Sequence, residues 1–238
     1  KEFKARLKKI QALMAKEGID TLYLTAPESM YYVTGYNACW YKAGAPPAWE
    51  HAMATGVAVH VEGEKPILFD IPDEEDVAHT TTLGTIIKIV NDIPGAEMYD
   101  KTFEFEASRD KGFLELVADI LESEGWTKGT IGLELGCYRP SPKVSKRFQE
   151  ILENKGGRIV DGTHIVREVR KYKSPLEIKY TEIASRIADI GYRAAVEATE
   201  PGITELELHG IMTLAMQKAG GENAGLLNPV RSGIRASS

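Results

Sequence analysis

Five carboxylates fall within seven residues in the run Asp70-Ile71-Pro72-Asp73-Glu74-Glu75-Asp76. Such density could hold a hard cation, which takes about six to eight oxygen ligands. The run lacks the alternating acidic positions and closing glutamate of a calcium loop. The same residues suit the first turn of a helix, where carboxylates meet the positive end of the helix dipole, and we assign them there. His51, His60, His79, His164 and His209 are the five histidines. They form neither HExxH nor HxxxH, and none stands at ligand spacing from a cysteine. His79, just after the acidic run, is expected on the surface. Glu50-His51 pairs a carboxylate with an imidazole, but adjacent residues point in different directions. Gly129-Thr130-Ile131-Gly132 and Gly136 make no phosphate loop, and no GxSxG elbow is present. Glu134 lies in an alternating strand pattern and is expected to face solvent or a partner element. Cys39 and Cys137 form no CxxC pair; they fit a reducing, cytoplasmic setting as small buried hydrophobes. No catalytic constellation is visible, so neither catalytic residues nor metal ligands are expected in this chain.

The stretch 36–55, YNACWYKAGAPPAWEHAMAT, has no clean period and holds Trp40, Tyr41 and Trp49 beside Gly44, Pro46 and Pro47. A loop of that length inside a compact domain is usually functional. Three large aromatics on it imply either a surface that something covers or a peripheral core folded back on its own domain. Both readings stay open on the residues alone.

These groups must be carried by a layered frame. An amphipathic helix over Phe3–Lys16 has Phe3, Leu7, Ile10, Leu13 and Met14 on one face, and Gly18 closes it. Strands follow at Thr21–Thr25, at Val57–Val61 and Pro66–Phe69 as a hairpin, at Thr85–Val90, Thr130–Leu135 and Arg158–Asp161. Short or amphipathic helices are expected at Pro27–Thr34, Lys111–Glu124 and from Ser141-Pro142 to Gly156. Helices alternating with strands indicate an α/β domain, and the hairpin makes its sheet mixed. A strand and connector then lead to a long helix, 175–199, opened by Ser174, Pro175 and Glu177 and stopped by Pro201-Gly202. Its apolar residues Ile178, Ile183, Ile187, Ile190 and Ala194 lie near one face. Thr204 and Glu207 open another helix. A net charge of -6 argues against a nucleic-acid binder. No apolar run reaches membrane-spanning length.

The segment VREVRKYKSPLEIKYTEIASRIADIGYRAAVEATEPGITELEL resembles the start of the catalytic domain of the creatinase/prolidase/aminopeptidase P family. Arg170, Lys173, Ser174, Pro175, Glu177, Ile178, Ala188, Pro201, Gly202, Thr204 and Glu205 carry the resemblance. RLKKIQALMAKEGIDTLYLTAPESMYYVTGY and TIGLELG resemble the non-catalytic N-terminal domain of the same family. The resemblance implies a ribonuclease H-like mixed-sheet α/β domain over 1–165 and the beginning of an α+β pita-bread domain over 166–238. It implies a homodimeric, cytoplasmic hydrolase acting on a peptide or small molecule, with no nucleic-acid or membrane partner. The expected activity is that of a metal-dependent Xaa-Pro peptidase. In peptidase members two Asp, one His and two Glu hold two divalent metal ions (Mn, Co or Zn) that activate a bridging water. Residues 229–238 resemble the approach to the family's first catalytic histidine. The chain is therefore expected to be a fragment, inactive alone and binding no cofactor itself. The loop after Tyr32-Val33-Thr34-Gly35 can lend aromatic or basic residues to the partner's active site, which maps onto Trp40, Tyr41 and Trp49. That loop lacks an arginine at the corresponding place, which counts against creatine. A creatinase-like or ectoine hydrolase-like C–N hydrolase and a non-catalytic pita-bread binding module are the alternatives.

Overall fold

The computed structural model describes residues 1–37, 55–70, 75–89, 112–137, 140–222 and 230–237. They form two compact units, Lys1–Tyr172 and Lys173–Ser238. In the first, α1 (Glu2–Glu17) is followed by β1 (Thr21–Leu24), α2 (Pro27–Thr34), β2 (Gly56–His60) and β3 (Ile67–Asp70). Then come α3 (Glu75–Thr81), β4 (Ile86–Ile89), α4 (Phe113–Ser123), β5 (Gly129–Leu133), α5 (Pro142–Asn154), β6 (Gly157–Asp161) and α6 (Thr163–Lys171).

The six strands form one sheet in the order β4-β3-β2-β1-β5-β6. β2 is antiparallel to both β1 and β3. The β3–β4, β1–β5 and β5–β6 pairs are parallel. The mixed α/β sheet expected from the hairpin is thus present. Side chains alternate across the pleat, and the two sets have different partners. Leu22, Leu24, Val57, Val59 and Leu68 meet Leu7, Ile10 and Met14 of α1, Met30 and Val33 of α2, and Ile165 and Val166 of α6. On the opposite face Tyr23, Ala58, Ile67, Phe69 and Ile131 meet Phe113, Leu114, Val117 and Leu121 of α4 and Val144, Phe148 and Leu152 of α5. β1 and β3 are therefore buried along their whole length.

Helix α6 stands where the sequence suggested only a connector. Ile165 and Val166 are fully buried and Val169 packs beside them. A helix places these three on one side, and that burial holds residues up to Tyr172 in the first unit. Tyr32 of α2 lies under the guanidinium of Arg6, 4.5 Å from its ring centroid, and 5.8 Å from that of Arg170. These cation–π contacts tie α2 to α1 and α6.

The second unit contains α7 (Pro175–Glu197), α8 (Glu205–Lys218) and a 3-10 turn, Gly233–Ser237. Both expected capping boxes are formed. Ser174 Oγ accepts from Glu177 N at 3.1 Å while the Glu177 carboxylate accepts from Ser174 N at 2.9 Å. Thr204 and Glu207 repeat this reciprocal arrangement. Gly191 is the buried position of α7. A Cβ there would lie 2.5 Å from Cγ of Met216, so the two helices meet at a glycine. Ile178, Ile183 and Ile190 are exposed to between 40 and 50%.

Candidate functional site

The aromatic stretch is bounded by a buried cluster of three polar side chains. Asp70 ends β3, and Thr55 directly precedes β2. Gly56 pairs with Phe69 in the antiparallel ladder, so the next pair outward brings Thr55 opposite Asp70. Thr55 Oγ1 donates to Asp70 Oδ1 at 3.2 Å, and the Tyr36 hydroxyl donates a very short bond to the other carboxylate oxygen. Tyr36, Thr55 and Asp70 are all fully buried. Asp70 therefore departs from the helix first turn to which the acidic run was assigned, and ends β3 instead. Glu75 and Asp76 do occupy the first turn of α3, as expected.

Tyr36 reaches Asp70 because α2 stops abruptly. Gly35 takes the left-handed conformation at φ 83°, which glycine adopts without strain. A side chain there would also meet the Thr81 carbonyl at 2.9 Å. The Thr34 hydroxyl donates to Met30 O at 2.7 Å and accepts from Tyr36 N at 3.0 Å. Asn37 N donates to Thr81 Oγ1 at 3.3 Å.

The start of α2 is held by Glu134. Of the two settings expected for it, solvent or a partner element, it has the second: it is only 4% exposed and faces α2. Thr25 N and Ala26 N each donate to its Oε2 at 2.7 Å, and Ser29 Oγ donates to Oε1 at 2.6 Å. Ala26 cannot cap the helix with its own side chain. The carboxylate reaching over from beyond β5 does so instead. Burial pushes the Glu134 carboxyl above the usual Glu value, although the bonds from Ser29, Ala26 and Thr25 oppose the shift.

Cys137 lies close to this carboxylate. Burial first, and the charge of Glu134 second, push its thiol up to about 11, against the opposing influence of Arg167. It is thus a protonated thiol at neutral pH and a poor nucleophile. In a Cys39→Ser background, iodoacetamide should label Cys137 at least about tenfold more slowly at pH 7.5 than a free cysteine of ordinary pKa. Labelling at the free-thiol rate would contradict the half-buried setting beside Glu134.

The described histidines do other work. His60 stacks on Trp126 at 5.3 Å. His79 is exposed on the surface, as expected, 3.7 Å from Glu75. His164 Nε2 lies 2.6 Å from Glu17 Oε2. Among the described residues no three His, Cys, Asp or Glu side chains converge to hold a metal ion. The described residues therefore do not fit a metal pair. Among them, too, no helix is long and apolar enough to cross a membrane. Trp40, Tyr41 and Trp49, with Cys39, Glu50 and His51, lie outside the described residues.

A family profile, Creatinase/Prolidase N-terminal domain, matches residues 6–172. In sequence the chain is 27% identical to Ectoine hydrolase of Halomonas elongata over 211 residues, covering 87% of this chain and 47% of that protein. It is 29% identical over 223 residues to an uncharacterised hydrolase/peptidase of Sinorhizobium fredii, covering 93% of this chain and 51% of that one. The chain spans about half the length of the curated relatives it matches. Among solved structures it resembles the prolidase of Thermococcus sibiricus with a TM-score of 0.67, covering 93% of this chain and 51% of that one. At 16% identity that likeness concerns the fold.

Proposed function

The chain belongs to the Creatinase/Prolidase N-terminal domain family, and on that premise we propose that the whole protein is a metal-dependent Xaa-Pro peptidase. The observation that carries this is the family match across residues 6–172. In this reading the first unit is a dimerisation and substrate-capping domain of a cytoplasmic homodimer. Trp40, Tyr41 and Trp49 of one subunit cover the substrate bound by its partner. Large aromatics offer flat apolar area suited to a prolyl ring. Two divalent ions, Mn, Co or Zn, would supply the water-activating chemistry. Among the described residues no three His, Cys, Asp or Glu side chains are grouped to hold them.

The likeness to Ectoine hydrolase favours a second reading, hydrolysis of a C–N bond in a small molecule. An anionic small substrate needs a cation nearby, and Lys42 is the Lys or Arg that residues 38–54 provide.

One panel separates these. The purified whole protein is incubated with Xaa-Pro dipeptides, creatine and ectoine, with added manganese, cobalt or zinc and after chelation. Xaa-Pro cleavage that is lost on chelation and restored by manganese is expected. Turnover of ectoine or creatine instead would move the assignment to the second reading. No turnover of any substrate would make the protein a binding module. Residues 1–238 alone should not turn over an Xaa-Pro dipeptide with added manganese.

A further inference from the structure

Helix α1 buries one side and presents the other to solvent. Leu7, Ile10 and Met14 are buried, while Lys4, Ala5, Lys8, Lys9, Ala12 and Lys16 are exposed. At the helical period, Ala5 and Ala12 share one line along the outer face. Lys4 and Lys8 lie on one flank of that line, Lys9 and Lys16 on the other. The acidic residues of α1 stand at its sides and are engaged there: Glu2 pairs with Arg6 at 3.1 Å, and Glu17 meets His164 at 2.6 Å. Among the described residues no ion pair or hydrogen bond engages the side chains of these lysines. The cations of α5 differ: Lys146 stands 4.0 Å from Glu150, and Arg147 is 2.7 Å from Glu115. Helix stability does not explain the stripe. Lys4 sits in the first turn, against the positive end of the helix dipole. Lys4 and Lys8, one turn apart, repel each other. A facing row of carboxylates would relieve both.

We propose that the outer face of α1 is a docking surface for an acidic α-helix of a partner protein, whatever reaction the whole protein performs. The small alanines let a second helix axis approach to about 8–10 Å. The flanking lysines then hold the places that select a partner by charge in paired helices. What surrounds the stripe decides the kind of partner. A second copy of α1 is excluded, because a two-fold contact would set lysine against lysine. The stripe is also one helix wide. On one side Glu62 and Glu64 stand exposed on the turn that Gln11 holds through His60 O and Gly63 O. On the other, Glu17 and the Glu168–Lys171 pair of α6 add no net positive charge. A membrane plane or a nucleic-acid duplex would press on those carboxylates as well as on the lysines. A single helix lies between them.

The test uses the whole protein and a labelled, alanine-based helical peptide with glutamates on both flanks of an alanine line. A DNA duplex and phosphatidylserine vesicles are the comparison probes. One variant combines Lys4→Gln, Lys8→Gln and Lys16→Gln. A control variant, Lys128→Gln with Lys143→Gln and Lys146→Gln, removes the same charge from other exposed positions. Circular dichroism checks that both fold, and Lys8→Gln alone, with a loss of about threefold, serves if the first does not. Fluorescence anisotropy should show saturable binding of the acidic helix. The α1 variant should weaken it about tenfold, and the control variant less than about twofold. Raising salt from about 0.05 M to about 0.2 M should weaken it severalfold, because exposed charges are screened. Equal losses in the two variants overturn the proposal, since overall charge alone would then explain the binding. No saturable binding of the acidic helix overturns it too. Tighter binding of the duplex or the vesicles, lost in the α1 variant, overturns the helical partner in favour of a nucleic acid or an anionic membrane surface.

Discussion

Glu134→Ala should lower the stability of the first unit by about 3–5 kcal/mol, while Glu134→Gln should cost about 1 kcal/mol or less. The alanine removes the acceptor of three buried donors: Thr25 N, Ala26 N and the Ser29 hydroxyl. Each buried donor left without a partner costs about 1–3 kcal/mol, and water entering the space returns part of it. Both backbone donors bind the same oxygen, Oε2. A glutamine oxygen can therefore accept from both, while its amide donates to the Ser29 hydroxyl, which can turn to accept. Chemical denaturation followed by circular dichroism measures both variants. Equal losses in the two would show that Glu134 acts through volume and not as the cap of α2.

The same pair of proteins has a pH signature. The native carboxyl holds its proton more tightly than an ordinary Glu does, because burial raises its pKa. Between that raised native value and the usual value near 4.5, the native state therefore binds more protons than the unfolded state. The contribution of Glu134 to stability is then greatest below the usual value and declines as pH rises through the native one. The stability difference between wild type and Glu134→Gln should shift toward wild type as pH falls through this window. A difference that is flat with pH would mean that the buried group is not the one titrating.

Much of the frame was legible because it rests on local periodicity. Leu7, Ile10 and Met14 mark the buried face of α1 by spacing alone. Ser174 with Glu177, and Thr204 with Glu207, announce two helix starts that the structure forms with both reciprocal bonds. Which of its two expected settings Glu134 takes was not legible, because the alternating pattern was carried past Leu133, where β5 ends. Beyond a strand end the two-residue period no longer decides which way a side chain points. Its partners lie more than a hundred residues earlier, on α2 and the turn before it, and no local pattern connects them. Asp70 was hidden the same way inside an acidic run. Only the β2–β3 register, which brings Thr55 opposite it, separates it from the surface carboxylates Glu75 and Asp76. Helix α6 was missed because it is short and follows Gly162 without a side-chain cap. Its one local signal is the trio Ile165, Val166 and Val169.

Gly56→Ala should destabilise the first unit by about 3 kcal/mol, at the upper end of the usual overpacking cost. A Cβ at this position would stand 2.5 Å from Tyr23 Cε1 and 2.7 Å from the Leu24 carbonyl oxygen. Neither neighbour can yield cheaply. Leu24 O belongs to the backbone of β1, a central strand paired on both sides. The Tyr23 ring is 1% exposed and is held between Phe69, at 6.0 Å, and Phe148, at 5.0 Å, centroid to centroid. Swinging it aside would disturb the face of the core that α4 and α5 cover. For a chain of this length such a loss lowers the melting temperature by about 6–12 °C. Gly63→Ala is the matched control in the same unit. Its Cβ would meet His60 and Trp126 at 3.3 Å, a contact relieved by small adjustments of a turn. Reduced freedom of the unfolded chain, worth about 0.4–1 kcal/mol, offsets that strain. A melting temperature within about 2 °C of wild type is expected for the control. Because Thr55 immediately precedes Gly56, the misplaced strand start should also loosen the Thr55–Asp70 bond. A Gly56→Ala variant as stable as the control would mean that Tyr23 has room to move, and that β1, β2 and Phe148 are less tightly fitted than their distances imply.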